Sequence, residues 1–426
     1  MDQEAAKDGV LKNKYAMPLQ EKLKSMKKRI AWVWMYVFID GNSYGDALKL
    51  AKRFSKSGEA NFLLEEFLSI KIVFKTLLAW FRQVLIFQKI KKLIPEQRFY
   101  QGLTVPEGAV FIKRLLAKSF LGYVSIGNIL LFELYKKIFS YFSNASHCIY
   151  YTEMHAWEKA LNAAKRLYAP NIKAIGFQHT GVSRNHFFYF QHPDEVIQDK
   201  GLASVPMPDI LACNGDIPLS LMKRSGYPNL QKVEAIRHMH LNDYLNNSDY
   251  FLKDDILLIA GSISRKETMA LISMFYEVFP KPVKFQVWLK GHPALPFEPL
   301  LKDLRIDPNE CGYIIKHDPM AKLLRFIKVV IVGSSAVGIE ALAGGCKVAI
   351  PLFSDYMLMS PLVGFEQFYR KVFNPQELRI AINEMLFSDK QEAFCENEAK
   401  RFIAKYWCLD ESLKNWEGLL SEKTVD

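Results

Sequence analysis

The stretch that most constrains this chain is KVVIVGSSAVGIEALAGGCKVAIPL, from Lys328 to Leu352. Val329 to Val332 form an uncharged, β-branched apolar run, the pattern of a parallel strand covered on both faces. Gly333, Ser334 and Ser335 then turn the chain, a short helix follows, Gly344 and Gly345 stop it, and a second buried strand begins. Such a unit commits its surroundings to an α/β fold with a parallel sheet, and such sheets bind ligands beyond the carboxyl ends of their strands. Backbone N–H groups, hydroxyls and the positive end of a helix dipole at Gly333–Ser335 suit a phosphate. Glu340, one turn above Ala336 on about the same helix face, is placed to accept hydrogen bonds from ribose hydroxyls. The plainer alternative is an N-cap at Ser335 and a solvated glutamate at 340.

The same strand–helix alternation runs through both halves of the chain. HCIYYTE reads as a strand ending at Glu153, AWEKALNAAKRLY as a helix, KAIGFQHT as a strand ending at His179, and PDILACNG as a strand ending in a Gly215 turn. After a polar, Asn/Asp-rich linker at Leu241 to Asp254, a second series follows: DILLIAGSIS, KFQVWLKGHPA, CGYIIKHD and the opening stretch. At 426 residues there is room for two domains of ordinary size. Two α/β halves place a cleft between their strand ends. Ahead of both, AWVWMYVFID (Ala31–Asp40) reads as a first buried strand, followed by a turn with Asp46 as helix cap and a helix starting near Ala47.

The net charge is +11, and its location is informative. Between Phe67 and Lys137 there are twelve Lys or Arg and three Glu, so this segment carries +9 of the total. The pattern predicts one long helix over Phe62–Ile94 and a second helical region over Gly108–Phe142. On the first helix Lys71, Lys75, Arg82 and Lys89 fall in a stripe roughly 40° wide. Ser119–Phe132, the longest uncharged piece, is shorter than the ~18 residues of a spanning helix, so no transmembrane helix is expected. The segment suits an anionic membrane surface or a helical layer with a solvated basic face. No nucleic-acid motif accompanies the charge. The six scattered cysteines contain no CxxC, which fits reduced thiols in a cytoplasm. Residues 1–30 are polar, without the apolar core of a signal peptide.

Several strand ends carry candidate chemistry. Lys290-Gly291-His292-Pro293 follows VKFQVWL, and its cation and imidazole can meet phosphate oxygens on the same sheet edge as the Gly-Ser-Ser turn. Ser262 and Arg265 follow the first strand of this half and can add donors. In the first half Asp40, Glu153 and His179 each end a presumed strand, and any of them can take a proton from an acceptor hydroxyl or, as a carboxylate, attack. Gly41-Asn42-Ser43-Tyr44-Gly45 also matches the GxSxG elbow of hydrolases, although an ordinary turn has the same composition. There is no DxD, GxxxxGK[ST], GxGxxG or HExxH.

With these residues in place, the second half resembles the nucleotide-sugar-binding domain of GT-B glycosyltransferases. KGHP is similar to the HP motif of bacterial sialyl- and polysialyltransferases, and GSSAVGIEALAGG to their Ser-Ser motif. YTEMHAWEKAL, AIGFQHTGVSR and VEAIRHMHL resemble proteins of surface carbohydrate biosynthesis, the O-antigen and capsule type. The resemblance implies an α/β, GT-B-like fold: two Rossmann-like domains with parallel sheets facing a cleft, plus a basic helical insertion. The expected division is a polar segment 1–30, an acceptor-side domain 31–245 with the insertion at 62–143, a nucleotide-sugar domain 246–390 and C-terminal helices 391–426. It implies a glycosyltransferase whose donor site includes Ser262, Lys290, His292, Pro293, Gly333, Ser334, Ser335 and Glu340, with Asp40, Glu153 or His179 as base or nucleophile and no metal or other cofactor. The HP/Ser-Ser pairing favours a CMP-sugar, with UDP-, GDP- and CDP-linked donors open. The acceptor would be a lipid-linked glycan, and the protein cytoplasmic and peripheral at the inner membrane face. A CDP-donor polyol-phosphate transferase and a non-catalytic assembly protein are the alternatives.

Overall fold

A computed structural model describes residues 9–13, 15–38, 41, 43–56, 58–93, 106–196, 204–227, 229–246, 253–387 and 396–421. Two parallel sheets dominate it. The first half forms a four-stranded sheet in the order β3 (His147–Tyr151), β4 (Lys173–Gln178), β5 (Ile210–Cys213), β6 (Leu230–Lys232). The second half forms a six-stranded sheet from β7 (Asp254–Ala260), β8 (Gln286–Lys290), β9 (Tyr313–Ile315), β10 (Ile327–Val332), β11 (Lys347–Pro351) and β12 (Arg370–Val372), in the order β12-β11-β10-β7-β8-β9. Every pairing in both is parallel.

The apolar runs explain the sheet's centre. Leu257–Ile259 and Val329–Val332 are fully buried because helices cover both faces of β7 and β10. The chain runs outward from β7 through β9, then returns to β10 on the other side of β7. The reversal of strand order lies between β7 and β10, where a doubly wound sheet opens a crevice for a ligand. The opening stretch and Ser262 border that crevice.

Elsewhere the structure departs from the expectations. The strand read over Ala31–Asp40 is only β1 (Ala31–Trp34), half exposed and paired with β2 (Ala60–Leu63) in a separate two-stranded sheet. Trp32 and Trp34 stack on each other at 5.4 Å, and of the two only Trp32 also packs against the core of the four-stranded sheet. The helix after it starts at Tyr44, and its cap is Ser43, whose hydroxyl oxygen accepts from the Asp46 N–H. Ser43 thus follows the edge of a two-stranded sheet and bonds Asp46, so the GxSxG match is a helix cap. The helix read over Phe62–Ile94 spans Ile70–Leu93, because Phe62 and Leu63 belong to β2 and Leu64–Phe67 is a 3-10 turn. The next helical region is two helices, Pro106–Leu121 and Tyr123–Tyr141, divided at Gly122. In the expected linker, Asn242–Asn246 is a helix, and 247–252 lie outside the described residues.

The ends of the chain are built into the first half. Ala16 and Leu19, from the segment read as merely polar, enter the core of the four-stranded sheet together with Leu413, Trp416, Leu419 and Leu420. Glu396–Tyr406 packs on the six-stranded sheet and then delivers Tyr406 to the other half. There its hydroxyl donates to Val182 O at 2.6 Å and accepts from Val182 N–H at 2.8 Å. Gly215 permits this approach: a Cβ there would lie 2.0 Å from the Tyr406 carbonyl oxygen.

Candidate active site

The loops after β4 and β11 meet directly and bring the two sheets' carboxyl ends together. Asn185 donates its side-chain amide to Leu358 O at 2.7 Å, the Arg184 guanidinium lies over the Phe365 ring, and Gly181 packs against Ala336 and Pro361. His179 lies two residues before Gly181, at the start of the same loop. Asp40 lies outside the described residues.

Glu153 and His179 converge as neighbouring strand ends. The Glu153 carboxylate is 3.6 Å from His179 Nε2 and 3.1 Å from His155 Nε2. His179 is 9% exposed, and burial, then the charge of Arg237, pushes its pKa down to about 4. The ring is neutral at pH 7, so its approach to Glu153 is a contact between a neutral imidazole and a carboxylate.

On the opposite edge, His292 Nδ1 accepts the Ala294 N–H at 3.1 Å, which fixes the tautomer and leaves Nε2–H as a donor. Burial, and again Arg237, lower its pKa. Pro293 holds the exposed turn, and Lys290 reaches toward the His317 carbonyl at 3.5 Å. Glu340 is half-buried, 4.0 Å from His238 Nδ1, and burial raises its pKa against the opposing pull of Arg237.

The Gly-Ser-Ser turn differs from its reading. Its donors do meet an anion, but the anion is Glu267, from the helix Arg265–Val278 that follows β7. Ser334 donates its N–H and hydroxyl to Glu267 Oε1 at 2.9 and 2.6 Å, and its oxygen accepts from Met359 N–H at 3.0 Å. Gly333 leaves room for that carboxylate, since a Cβ there would be 2.4 Å from Glu267 Oε1. Ser335 Oγ accepts from Val337 N–H at 3.3 Å. Ser262 is buried, with its hydroxyl oxygen accepting from Ser264 N–H and its own N–H donating to Thr268. Arg265 pairs with Asp303 at the surface.

One residue whose charge reaches groups of both halves was not singled out by sequence. Arg237 lies in the 3-10 segment Ile236–Leu241 after β6, half-buried, with its guanidinium 4.6 Å from the Tyr15 ring centre. Its charge acts on His179 from one half, on His292 and Glu340 from the other, and on His238 between them. Among the described residues no carboxylate stands within ion-pair distance of it. His238 is 3% exposed, stacks on Trp407 at 3.9 Å and has both ring nitrogens without hydrogen-bond partners. The only available signal was position: VEAIRHMHL follows a strand of the first half. Among the described residues no three His, Cys, Asp or Glu side chains converge as a metal site.

No protein-family model matches the sequence, and no curated protein matches it. Solved structures do match the fold. CalG4, the calicheamicin glycosyltransferase, is 11% identical with a TM-score of 0.52, over 95% of this chain and 94% of that one. UDP-GlcNAc 2-epimerase from Neisseria meningitidis bound to UDP-GlcNAc is 9% identical over 96% of both chains, with a TM-score of 0.49. UGT89C1 of Arabidopsis thaliana complexed with UDP-L-rhamnose is 12% identical over 96% and 95%, also at 0.49. The last two scores carry no argument. The match to CalG4 extends to the fold alone, and the chain has the GT-B-like α/β architecture of two facing parallel sheets.

Proposed function

We propose that the protein is a metal-independent glycosyltransferase that moves a sugar from a nucleotide-sugar, a CMP-sugar by preference, to a growing lipid-linked surface polysaccharide at the inner membrane face. The observation that carries this reading is Arg237, a half-buried cation that has no carboxylate within ion-pair distance among the described residues and whose charge acts on groups of both halves. Such a guanidinium is matched by a phosphate, which it binds through a planar fork of donors. His292 Nε2–H and the Ser335 hydroxyl offer further donors on the edge of the six-stranded sheet, and Glu340 remains an acceptor for ribose hydroxyls. Ser334, tied to Glu267, shapes the turn.

In the proposed reaction the acceptor hydroxyl oxygen attacks the anomeric carbon and its proton passes to the Glu153–His179 pair. The bond from the anomeric carbon to the phosphate oxygen breaks, and the electron pair leaves with the nucleotide. Arg237 and His292 stabilise the charge that develops on that phosphate, in fixed positions that need no reorganisation.

The test is thermal stabilisation by a panel of nucleotides, followed by transfer assays with and without EDTA. CMP stabilisation with EDTA-resistant transfer supports the proposal. Stabilisation by CDP alone points to a polyol-phosphate transferase, and by UDP alone to a different donor. No stabilisation by any nucleotide overturns the reading in favour of a non-catalytic assembly protein.

A further inference from the structure

The helix Ile70–Leu93 presents three faces. Its inner face, with Ile72, Thr76 and Phe87 buried, packs on the following helices: Phe87 meets Phe120, and Gln83 accepts from the Ser125 hydroxyl at 2.9 Å. Its outer face is apolar and open. Ile70 is 90% exposed, Phe74 68% and Phe81 56%, with Val73, Leu77, Leu78 and Leu85 exposed along the same strip. Positions 70, 74, 77, 78, 81 and 85 follow the spacing of one helix face. Beside this strip run Lys71, Lys75, Arg82 and Lys89, all exposed and none in an ion pair among the described residues. The helix contains no acidic residue.

We infer that this outer face is a docking surface for an anionic phospholipid bilayer, with Phe74, Phe81 and their apolar neighbours seated at the headgroup boundary and the basic stripe against lipid phosphates. The charge selects this occupant. A second copy packed on the same strip would bring two unpaired basic stripes together, whereas an anionic surface complements them. Among the described residues no single helix is long and apolar enough to cross a membrane, and only Lys113–Leu121 with Tyr123–Tyr141, bent by 47°, passes jointly by length and composition. The mode that fits the strip is shallow contact in the plane of the surface. It deepens the reading of a membrane-borne acceptor by naming the contact, and vesicle binding without donor or acceptor tests it apart from catalysis.

The experiment is co-sedimentation of the full chain with phosphatidylcholine vesicles, with and without phosphatidylglycerol, over a salt series. Binding should require phosphatidylglycerol and weaken with salt. Replacing Lys71, Lys75, Arg82 and Lys89 by Gln should lower the bound fraction roughly ten-fold or more. Phe74→Ser with Phe81→Ser should remove the salt-resistant part and leave transfer to a soluble acceptor unchanged. Absence of binding at low salt, or equal binding to both vesicle types, overturns the proposal. So does light scattering that finds a dimer which the Phe74→Ser, Phe81→Ser variant dissociates.

Discussion

Glu267 accepts two hydrogen bonds from Ser334, from its N–H at 2.9 Å and its hydroxyl at 2.6 Å, across the point where the strand order of the six-stranded sheet reverses. The crevice between β7 and β10 therefore carries its own anion. Glu267→Ala leaves the half-buried Ser334 N–H and hydroxyl without their acceptor, and the expected cost is roughly 1–3 kcal/mol. Gly333→Ala should be destabilising in the same direction by displacing that carboxylate. Urea denaturation checks both; unchanged midpoints would remove Glu267 as the support of the turn.

Arg237→Gln removes the charge that both halves share. Nucleotide affinity measured by calorimetry should fall about ten-fold or more, while the thermal midpoint without nucleotide changes little. An affinity equal to that of the parent protein would place the phosphate elsewhere.

Glu153→Gln should leave nucleotide affinity intact and lower kcat by about 10²–10⁴-fold, because the variant keeps the shape of the side chain but not its capacity to hold a proton. Retained kcat would exclude Glu153 from proton transfer and leave His179 in that role.

The depressed pKa of His179 makes stability depend on pH. The unfolded chain binds a proton near the ordinary value of 6.5, whereas the folded chain waits until about 4. Stability should accordingly fall as pH drops through this window, by on the order of 3 kcal/mol from this group. His238 and His292, also depressed, add in the same direction, whereas the raised pKa of Glu340 opposes them. Denaturation from pH 7.5 to 4.5 should give a shallower slope for His179→Gln than for the parent; identical slopes would contradict the assignment.

Trp416 is fully buried, donates its indole N–H to Glu234 O at 3.0 Å and meets Phe177 edge-on at 5.0 Å. Trp416→Ala should cost about 3–5 kcal/mol, read as a lower denaturant midpoint.

The parts of this molecule legible in the sequence are those in which local pattern and burial agree. β7 and β10 are continuous apolar runs because both faces are covered, and the chain announces them. Glu153, His179 and His292 stand just beyond the carboxyl ends of β3, β4 and β8, positions that the strand pattern makes visible. β1 misled because an aromatic run resembles a long core strand even where the strand is four residues, half exposed, and reaches a main core through Trp32. Glu267 reads locally as a first-turn acid above the Ser264 cap, and only the fold directs it across to Ser334. Arg237 is marked locally only by its place after a strand of the first half. Its importance comes from what the other sheet brings opposite it.

The tie between Tyr406 and Val182 joins residues 224 positions apart, and Trp416 closes a core with Phe177. Contacts so distant in sequence pay for loop closure before they stabilise anything. During translation the four-stranded sheet is complete long before the helix that covers it has left the ribosome. Until then Phe177, Ile175 and Ile210 have Ala16 and Leu19 beside them but lack Leu413, Trp416, Leu419 and Leu420. The half of the protein made first thus completes its core last, with part of its apolar surface open in that interval.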